Sequence, residues 1–417
     1  MNKTVYMIST MFYPSIGGVE NHIYFISKYL VNNGYEVKII KPSIGEETKV
    51  SLLDNIEVHT VGIGTKDEKV KYDKYKERSK GSNLGFLYGY LRKNYFNKFY
   101  KEVYSYIENN IKNGNNNEVI IHQHDFISSI RLSKRLSKKY NIIFTNHTGE
   151  FLFLKKLPFS NTIIKQLTKH FSYIIAPSDE LAAFNGIRDK KTFKYIPNGV
   201  DMELFSQKSN DEINEIKGKY NINEEKIIVL CPRRWAPTKG IIYLIKAIKL
   251  LKDRSLDDKA QFIFVGNDYS DYEEYAEEIR KYISDNEIGK NIKLMGNIDS
   301  KKMSEVIACT NIVVLPSLME AVSLSALEAM ACSKIILSTN VGGFPQIIEN
   351  NINGIMVNPA SEQELAEELE KLLTNIDGYK KMGINAYEFV KGKYSWNNIG
   401  ERTEEVYNNF TNKIGDI

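Results

Sequence analysis

Short runs of β-branched and aliphatic residues alternate with helical apolar patterns along the whole chain. Nothing else in the sequence narrows the fold as much. Parallel strands need a crossover between them, usually a helix, so the alternation predicts βαβ units and an α/β fold. A first set of strands is expected near Val5–Ser9, Glu36–Ile40, Glu118–His122, Ile142–Asn146, Tyr173–Ala176 and Phe193–Ile196. A second set is expected near Ile227–Cys231, Phe262–Gly266, Lys293–Met295, Ile312–Leu315 and Lys334–Ser338. The polar stretch Gln207 to Glu225 separates them. The organisation predicted is a first Rossmann-like domain over 1–205 and a second over 206–390. A C-terminal helix over 391–417 would return to the first domain, with Trp396, Ile399, Val406 and Phe410 as its apolar stripe. Two such sheets facing each other would leave a cleft, and open parallel sheets bind ligands beyond the carboxyl ends of their strands.

A chain of 417 residues suits two or three domains at about 150 residues each. Hydrophobic residues at 42% and charged residues at 26% exclude disordered and fibrous classes. Cys231, Cys309 and Cys332 form no C-x-x-C pair, which excludes a disulfide framework and a cysteine zinc site. No apolar run is long enough to span a bilayer, and the stretch Val5 to Ile8 followed by Pro14 predicts a first strand rather than a secretory signal. The expectation is a reduced, cytoplasmic enzyme.

The net charge of +4 is unevenly spread. Residues 1–205 carry 30 Lys/Arg against 20 Asp/Glu, and the remainder 26 against 32. Within 66–112 there are 12 basic and 6 acidic residues, interleaved with aromatics from Tyr72 to Tyr106. That pattern fits either a solvated helical face or peripheral attachment to an anionic membrane. No zinc-finger, KH or RNP pattern supports a nucleic-acid partner.

Candidate chemistry sits just after the expected strands. Gly17 and Gly18 open a helix after the first strand, where paired glycines and a helix N-terminus suit a phosphate. The pattern is not G-x-G-x-x-G, which argues against a nicotinamide dehydrogenase. His122, His124 and Asp125 follow one strand; His147 ends the next, with Glu150 close behind. Their spacing is not that of a metalloprotease helix, so no metal is expected; His147 reads either as a hydrogen-bond donor to a sugar or leaving phosphate or as a histidine satisfied by backbone at a strand end. Arg234 and Lys239 lie on the loop after Ile227–Cys231, a planar fork and a point charge suited to a diphosphate. Glu320 and Glu328 straddle a strand-to-helix junction, whereas Glu362 and Glu370 repeat the interval on what reads as a plain surface helix. Carboxylates at such a junction can accept hydrogen bonds from sugar hydroxyls, and the helix N-terminus offers free N–H groups. Gly342 and Gly343 follow the strand Lys334–Ser338.

Taken in order, these segments resemble family 4 of the retaining glycosyltransferases, which have the GT-B fold. The resemblance spans nearly the whole chain. It rests on Gly17-Gly18-Val19-Glu20, His124, His147, Ala176-Pro177-Ser178, Pro197-Asn198-Gly199-Val200-Asp201, Arg234 with Lys239, Gly266, Gly296, the Glu320/Glu328 pair, Gly342-Gly343 with Pro345, and Tyr394-Ser395-Trp396. It implies transfer of a sugar from a nucleotide-sugar, by family habit a UDP-sugar, to a hydroxyl of a glycan, glycolipid or lipid-linked acceptor, with retention and without a metal or other cofactor. It implies that Arg234 and Lys239 hold the diphosphate, that Glu328 takes the ribose hydroxyls, and that Glu320 faces the donor sugar. Gly17, Gly18, Gly266, Ala321, Val322, Ser323 and Leu324 would complete the donor site. His147 would sit near the donor sugar and acceptor, with His124, Asp125 and Glu150 on the acceptor side. Three departures stand out: Ala321 and Ser323 where the family often has glycine, Arg233 where glycine is common, and Gln346 where glutamate is usual. A nucleotide-sugar epimerase and a non-catalytic nucleotide-sugar-binding protein are the alternatives.

Overall fold

The structure is a computed structural model that describes residues 3–13, 18–79, 85–113, 118–124, 130–147, 159–176, 193–266, 272–320 and 323–411. The chain forms two units, Met1–Asn198 with Ile399–Ile417, and Gly199–Asn398. The first division thus falls between Asn198 and Gly199 rather than between 205 and 206. The polar stretch Gln207 to Glu225, expected as the boundary, lies inside the second unit. It holds the helix Asn210–Lys219, closed by a Ser209/Glu212 capping box, and none of that helix is buried. Its polarity comes from exposure on the surface of the second unit.

The first unit is built on eight strands: β1 Lys3–Ile8, β2 Glu36–Ile44, β3 Lys49–Leu53, β4 Ile56–Ile63, β5 Glu118–Gln123, β6 Ile142–Thr145, β7 Tyr173–Ala176 and β8 Phe193–Tyr195. Their order in the sheet is β3-β4-β2-β1-β5-β6-β7-β8. All neighbours pair parallel except β3 and β4, an antiparallel hairpin. Asp54 and Asn55 turn that hairpin with φ of 48° and 64°. Short polar side chains tolerate this left-handed conformation, which primed two-residue turns require. A core lies on one face of the sheet, gathering Ile8, Ile40, Ile121, Phe144 and Ile174 against Phe99, Tyr100, Val103 and Ile107 of the helix Gly85–Asn113.

The second unit is built on β9 Ile227–Pro232, β10 Ala260–Val265, β11 Ile292–Leu294, β12 Ile312–Leu315, β13 Ile335–Thr339 and β14 Ile355–Val357. The order is β11-β10-β9-β12-β13-β14, and every pairing is parallel. Successive residues of β9 enter opposite cores: Val229 and Cys231 one, Ile228 and Leu230 the other. A strand covered on both faces must be apolar throughout, which explains the unbroken run Ile227 to Cys231. The helix Ile241–Asp253 covers one face through Ile241, Leu244, Ile245, Ile248 and Leu251, the three- and four-residue spacing of a buried stripe.

The helix Trp396–Thr411 starts in the second unit and groups with the first from Ile399 onward. Ile399, Val406 and Tyr407 are its buried apolar side chains there, and Thr403 is buried with them. Trp396 is half-buried, its ring pressed on Gly199, and the Phe410 side chain lies outside the described residues.

Candidate functional site

Each sheet reverses its strand order once, between β1 and β5 in the first unit and between β9 and β12 in the second. Adjacent crossovers diverge there and leave a crevice beyond the carboxyl ends. Residues that follow these four strands, and β6 beside β5, are therefore placed at the crevices.

In the first unit they are histidines. His22 lies in the helix Gly18–Asn32 after β1, His124 follows β5, and His147 follows β6. Nδ1–H of His22 donates to Asn198 Oδ1 at 2.9 Å. His124 Nδ1 and His147 Nε2 share a hydrogen bond of 3.1 Å, and their rings stack 5.3 Å apart. His22 stands edge-on to His147 with centroids 4.6 Å apart. His122, on β5, faces the hydroxyls of Tyr407 and Thr145 with one ring nitrogen each, both at 2.7 Å. Burial disfavours the imidazolium form. It lowers the His22 pKa to about 4, against the pull of Asn198. It holds His122, His124 and His147 well below the ordinary range, and the neighbouring imidazoles add to the shift. The cluster is thus neutral at physiological pH. One nitrogen each of His22, His124 and His147 can be chosen so that all three lie within 4.8 Å of one another, which makes them the described group that could hold a metal ion.

In the second unit the same position is ionic. Arg233 follows β9 directly and is only 7% exposed. Its Nη2 donates to Ser323 Oγ at 2.7 Å and lies 3.1 Å from Glu320 Oε2. Lys239, in the short 3-10 turn Pro237–Lys239, places Nζ 3.0 Å from the same oxygen, and Ser317 Oγ donates to it at 3.3 Å. Two glycines make this packing feasible. A β-carbon on Gly266 would sit 2.1 Å from the Arg233 carbonyl oxygen, and one on Gly342 1.6 Å from that of Glu320. Both have positive φ, 146° and 55°. Glu328, in the helix Leu324–Ala331, makes no side-chain hydrogen bond or ion pair among the described residues. Burial raises its carboxyl pKa to about 7, opposed by the charge of Arg233.

Residues 16–204 match the family described as Glycosyltransferase Family 4, and residues 212–389 the family described as Glycosyl transferases group 1. The chain is a family 4 glycosyltransferase. It is 25% identical over 409 residues to a component of the human phosphatidylinositol N-acetylglucosaminyltransferase, covering 96% of this chain and 75% of the relative. It is 28% identical over 258 residues to the lipopolysaccharide 1,2-N-acetylglucosaminetransferase of Salmonella typhimurium, covering 61% of this chain and 66% of that one. Among solved structures, a glycosyltransferase from Rickettsia africae superposes with a TM-score of 0.72 at 19% identity, over 99% of both chains. Anabaena HepE in complex with UDP and glucose superposes with a TM-score of 0.70 at 17% identity, over 97% of this chain and 99% of its own. These likenesses show the GT-B fold.

The residues expected from the sequence of this glycosyltransferase divide into groups. His124 and His147 meet, as do Lys239 and Glu320, and Ser323 is linked to Glu320 through Arg233. Arg234 does not join them: it is exposed, and its side chain has no partner among the described residues. Ser323 caps its helix by accepting from Ala326 N–H at 3.3 Å, and Leu324 packs on the core, so both have structural duties. Gly266 has one too, through its approach to Arg233. At Gly18 a β-carbon would meet nothing within 4 Å. Gly17, Asp125, Glu150, Ala321 and Val322 lie outside the described residues. Of the surface pair, Glu370 binds Arg254 Nη1 at 2.6 Å. His22 and Arg233 were not expected at a site. The first shares its helix face with Ile26 and Leu30, four and eight residues on, a signal the sequence does hold. For the second, adjacent residues leaving a strand point opposite ways, so one of two consecutive arginines had to turn inward.

Six of the aromatics of 66–112 require a correction; the side chains of Tyr72, Tyr75, Phe86, Tyr88 and Tyr90 lie outside the described residues. Tyr95, Phe99 and Tyr100 are buried, and Phe96, Tyr104 and Tyr106 pack against them, so these rings are core rather than anchors for a membrane surface. Lys66, Lys69, Lys71, Lys74, Lys98, Lys101 and Lys112 are exposed. No described helix is long and apolar enough to cross a membrane.

Proposed function

We propose that this chain moves a sugar from a UDP-sugar to a hydroxyl of a glycan or lipid-linked acceptor, with retention at the anomeric carbon and without a divalent metal. The observation that carries the proposal is the cation-rich cluster beyond β9 and β12: Lys239 and Arg233 around Glu320, with Arg234 exposed beside them. Such a set suits a diphosphate and the sugar attached to it. The names of two relatives, a phosphatidylinositol N-acetylglucosaminyltransferase and a lipopolysaccharide N-acetylglucosaminetransferase, support an N-acetylhexosamine donor and a lipid-linked acceptor.

In this reading Arg234 and Lys239 hold the diphosphate, Glu328 accepts from the ribose hydroxyls and Glu320 from the donor sugar. The bond from the anomeric carbon to the β-phosphate oxygen breaks, and a bond to the acceptor oxygen forms on the same face. The acceptor proton passes to the departing phosphate oxygen. Stabilising that leaving group is the main task of the protein, and Lys239 and Arg234 supply the charge that a metal would otherwise supply. His147, with His124 behind it, is assigned to the transferring sugar and the acceptor.

The test is to incubate the protein with UDP- and GDP-sugars, with and without membrane extract, and follow released nucleotide. Release that depends on extract and survives excess EDTA is expected. Activity lost in EDTA and restored by magnesium or manganese overturns the metal-free reading. Donor turnover with no acceptor and no free nucleotide indicates an epimerase, and binding without turnover a non-catalytic binding protein.

A further inference from the structure

Two of the departures from the family pattern meet in space. Arg233 and Ser323 each stand where glycine is common, and their side chains touch at 2.7 Å. Ser323 also caps its helix, but the arginine does not make structural sense alone. An arginine buried to this degree is costly unless its charge is paired and its donors are satisfied. Ser323 Oγ supplies an acceptor and Glu320 the opposite charge, 3.1 Å away. Even so, Nε of Arg233 is buried with no hydrogen-bond partner among the described residues. The guanidinium carbon lies 5.9 Å from the centroid of the buried Phe344 ring, and Gly266 pins the Arg233 carbonyl from behind. A buried donor left unsatisfied in a native fold calls for a reason beyond packing.

Glu320 has two cations on one oxygen, and they differ in freedom. The Lys239 side chain is 21% exposed and the Arg233 side chain 7%. A lysine is a compact charge on a flexible stem, and a donor diphosphate competes for it directly. Arg233, walled in by Phe344, Ser323 and Gly266, has nowhere to follow. Once Lys239 turns to the diphosphate, Arg233 is the counter-ion left on Glu320.

We propose that Arg233 is a positioning residue for donor recognition. It keeps the Glu320 carboxylate paired and in one orientation while Lys239 is engaged by the diphosphate, so that Glu320 meets the sugar as a fixed hydrogen-bond acceptor. This rests on reading the cluster as the donor site. Arg233 therefore acts on recognition of the sugar and not of the nucleotide, and it does so only through Glu320.

The experiment is a double-mutant cycle read by calorimetry, titrating UDP, UDP-N-acetylglucosamine and UDP-glucose against the native chain, Arg233→Met, Arg233→Lys, Glu320→Gln and Arg233→Met/Glu320→Gln. UDP affinity should stay within about threefold throughout. The ratio of UDP-sugar to UDP affinity should fall about tenfold in Arg233→Met, as expected for a lost charge-assisted contact, and equally in Glu320→Gln, with no further fall in the double variant. Arg233→Lys should recover most of the ratio. A second cycle pairs Ser323→Ala with Glu320→Gln and keeps the test alive if Arg233→Met does not fold. Removing the tether should lower the ratio about threefold, and only while Glu320 is present. Equal losses for UDP and UDP-sugar, or losses that add in either cycle, overturn the positioning role. A native chain that binds no UDP or UDP-sugar overturns the donor-site reading itself, and the role with it.

Discussion

The two switch points of this enzyme occupy the same place in their sheets and are built from opposite chemistry. Beyond β1, β5 and β6 the first unit gathers neutral imidazoles, His22, His124 and His147, with His122 behind them. Beyond β9 and β12 the second gathers ions, Arg233 and Lys239 on Glu320. Burial explains both. Without counter-ions, buried histidines discharge; with opposite charges in contact, buried ions persist. A neutral cluster can donate and accept hydrogen bonds without competing for an anion, whereas an ionic one is suited to holding it. The division of labour expected is therefore transfer chemistry in the first unit and nucleotide binding in the second.

His147→Ala is the most damaging way to test that division. It is the least buried member of the trio, and its Nε2 is tied to His124. A polar group that acts on the transition state is worth about 10²–10³ in rate. A kcat lowered by that order with UDP affinity unchanged within a few fold is expected from steady-state kinetics and calorimetry. Full kcat in the variant would reduce His147 to a structural partner of His124.

Acid should separate the units next. The pKa of His22 is lowered from its ordinary value to about 4. An imidazole depressed in the fold binds fewer protons there than in the unfolded chain, so stability is full above about pH 6.5 and falls as pH falls toward 4. That interval corresponds to on the order of 3 kcal/mol for His22 alone. Glu328 runs the other way. Its pKa is raised to about 7, so its contribution is full below its unfolded value and is lost as pH rises through 7. Hydrogen exchange resolved by segment should show β5 and β6 losing protection between pH 7 and 5 while β9 and β12 keep theirs. Equal loss in both sheets would mean the imidazoles are not what separates them.

A smaller effect sharpens the role of Glu328. If its carboxylate accepts from ribose hydroxyls, binding favours the ionised form and expels a proton when the pH lies near or below 7. Calorimetry of UDP at pH 6.5 in buffers of different ionisation enthalpy should reveal that release, and Glu328→Gln should abolish it and weaken UDP about tenfold. Glu362→Ala is the control and should change nothing. Unchanged UDP affinity in Glu328→Gln would remove it from the ribose.

Much of this was legible in the sequence because it is periodic. β7 and β12 coincide with the expected Tyr173–Ala176 and Ile312–Leu315, since a strand buried on both faces writes an unbroken apolar run. The hairpin of β3 and β4 was not foreseen. β3 is exposed at the sheet edge, with Leu52 75% exposed, so no burial pattern marks it. Its one signal was Asp54-Asn55 between apolar runs. The candidate site was half legible for a similar reason. Glu320 and Lys239 could be placed after strands, but the partner Arg233 supplies is set by which of two adjacent arginines turns inward, a matter of packing on Gly266. The polar stretch Gln207 to Glu225 read as a boundary because its helix Asn210–Lys219 is made by propensity and capping, not by burial.

The weakest effect concerns the surface lysines of 66–112. Tyr95, Phe99 and Tyr100 lie in the core and cannot insert into a bilayer, and among the described side chains of the segment it is the exposed lysines that can draw it to an anionic leaflet. Each lysine near such a surface is worth about 1 kcal/mol at most and fades within a Debye length. Attachment carried by charge alone should therefore be strong only at low salt and should vanish by physiological ionic strength, whereas inserted rings would have kept it. Sedimentation with anionic and neutral liposomes at two salt concentrations measures this. Pelleting with anionic vesicles at low salt only is expected, and replacing Lys98, Lys101 and Lys112 by glutamine should reduce it. Pelleting that persists at high salt would mean an apolar anchor outside these lysines. Equal recovery in the supernatant with both lipids at low salt would make the lysines a solvated face and favour a soluble acceptor over a lipid-linked one.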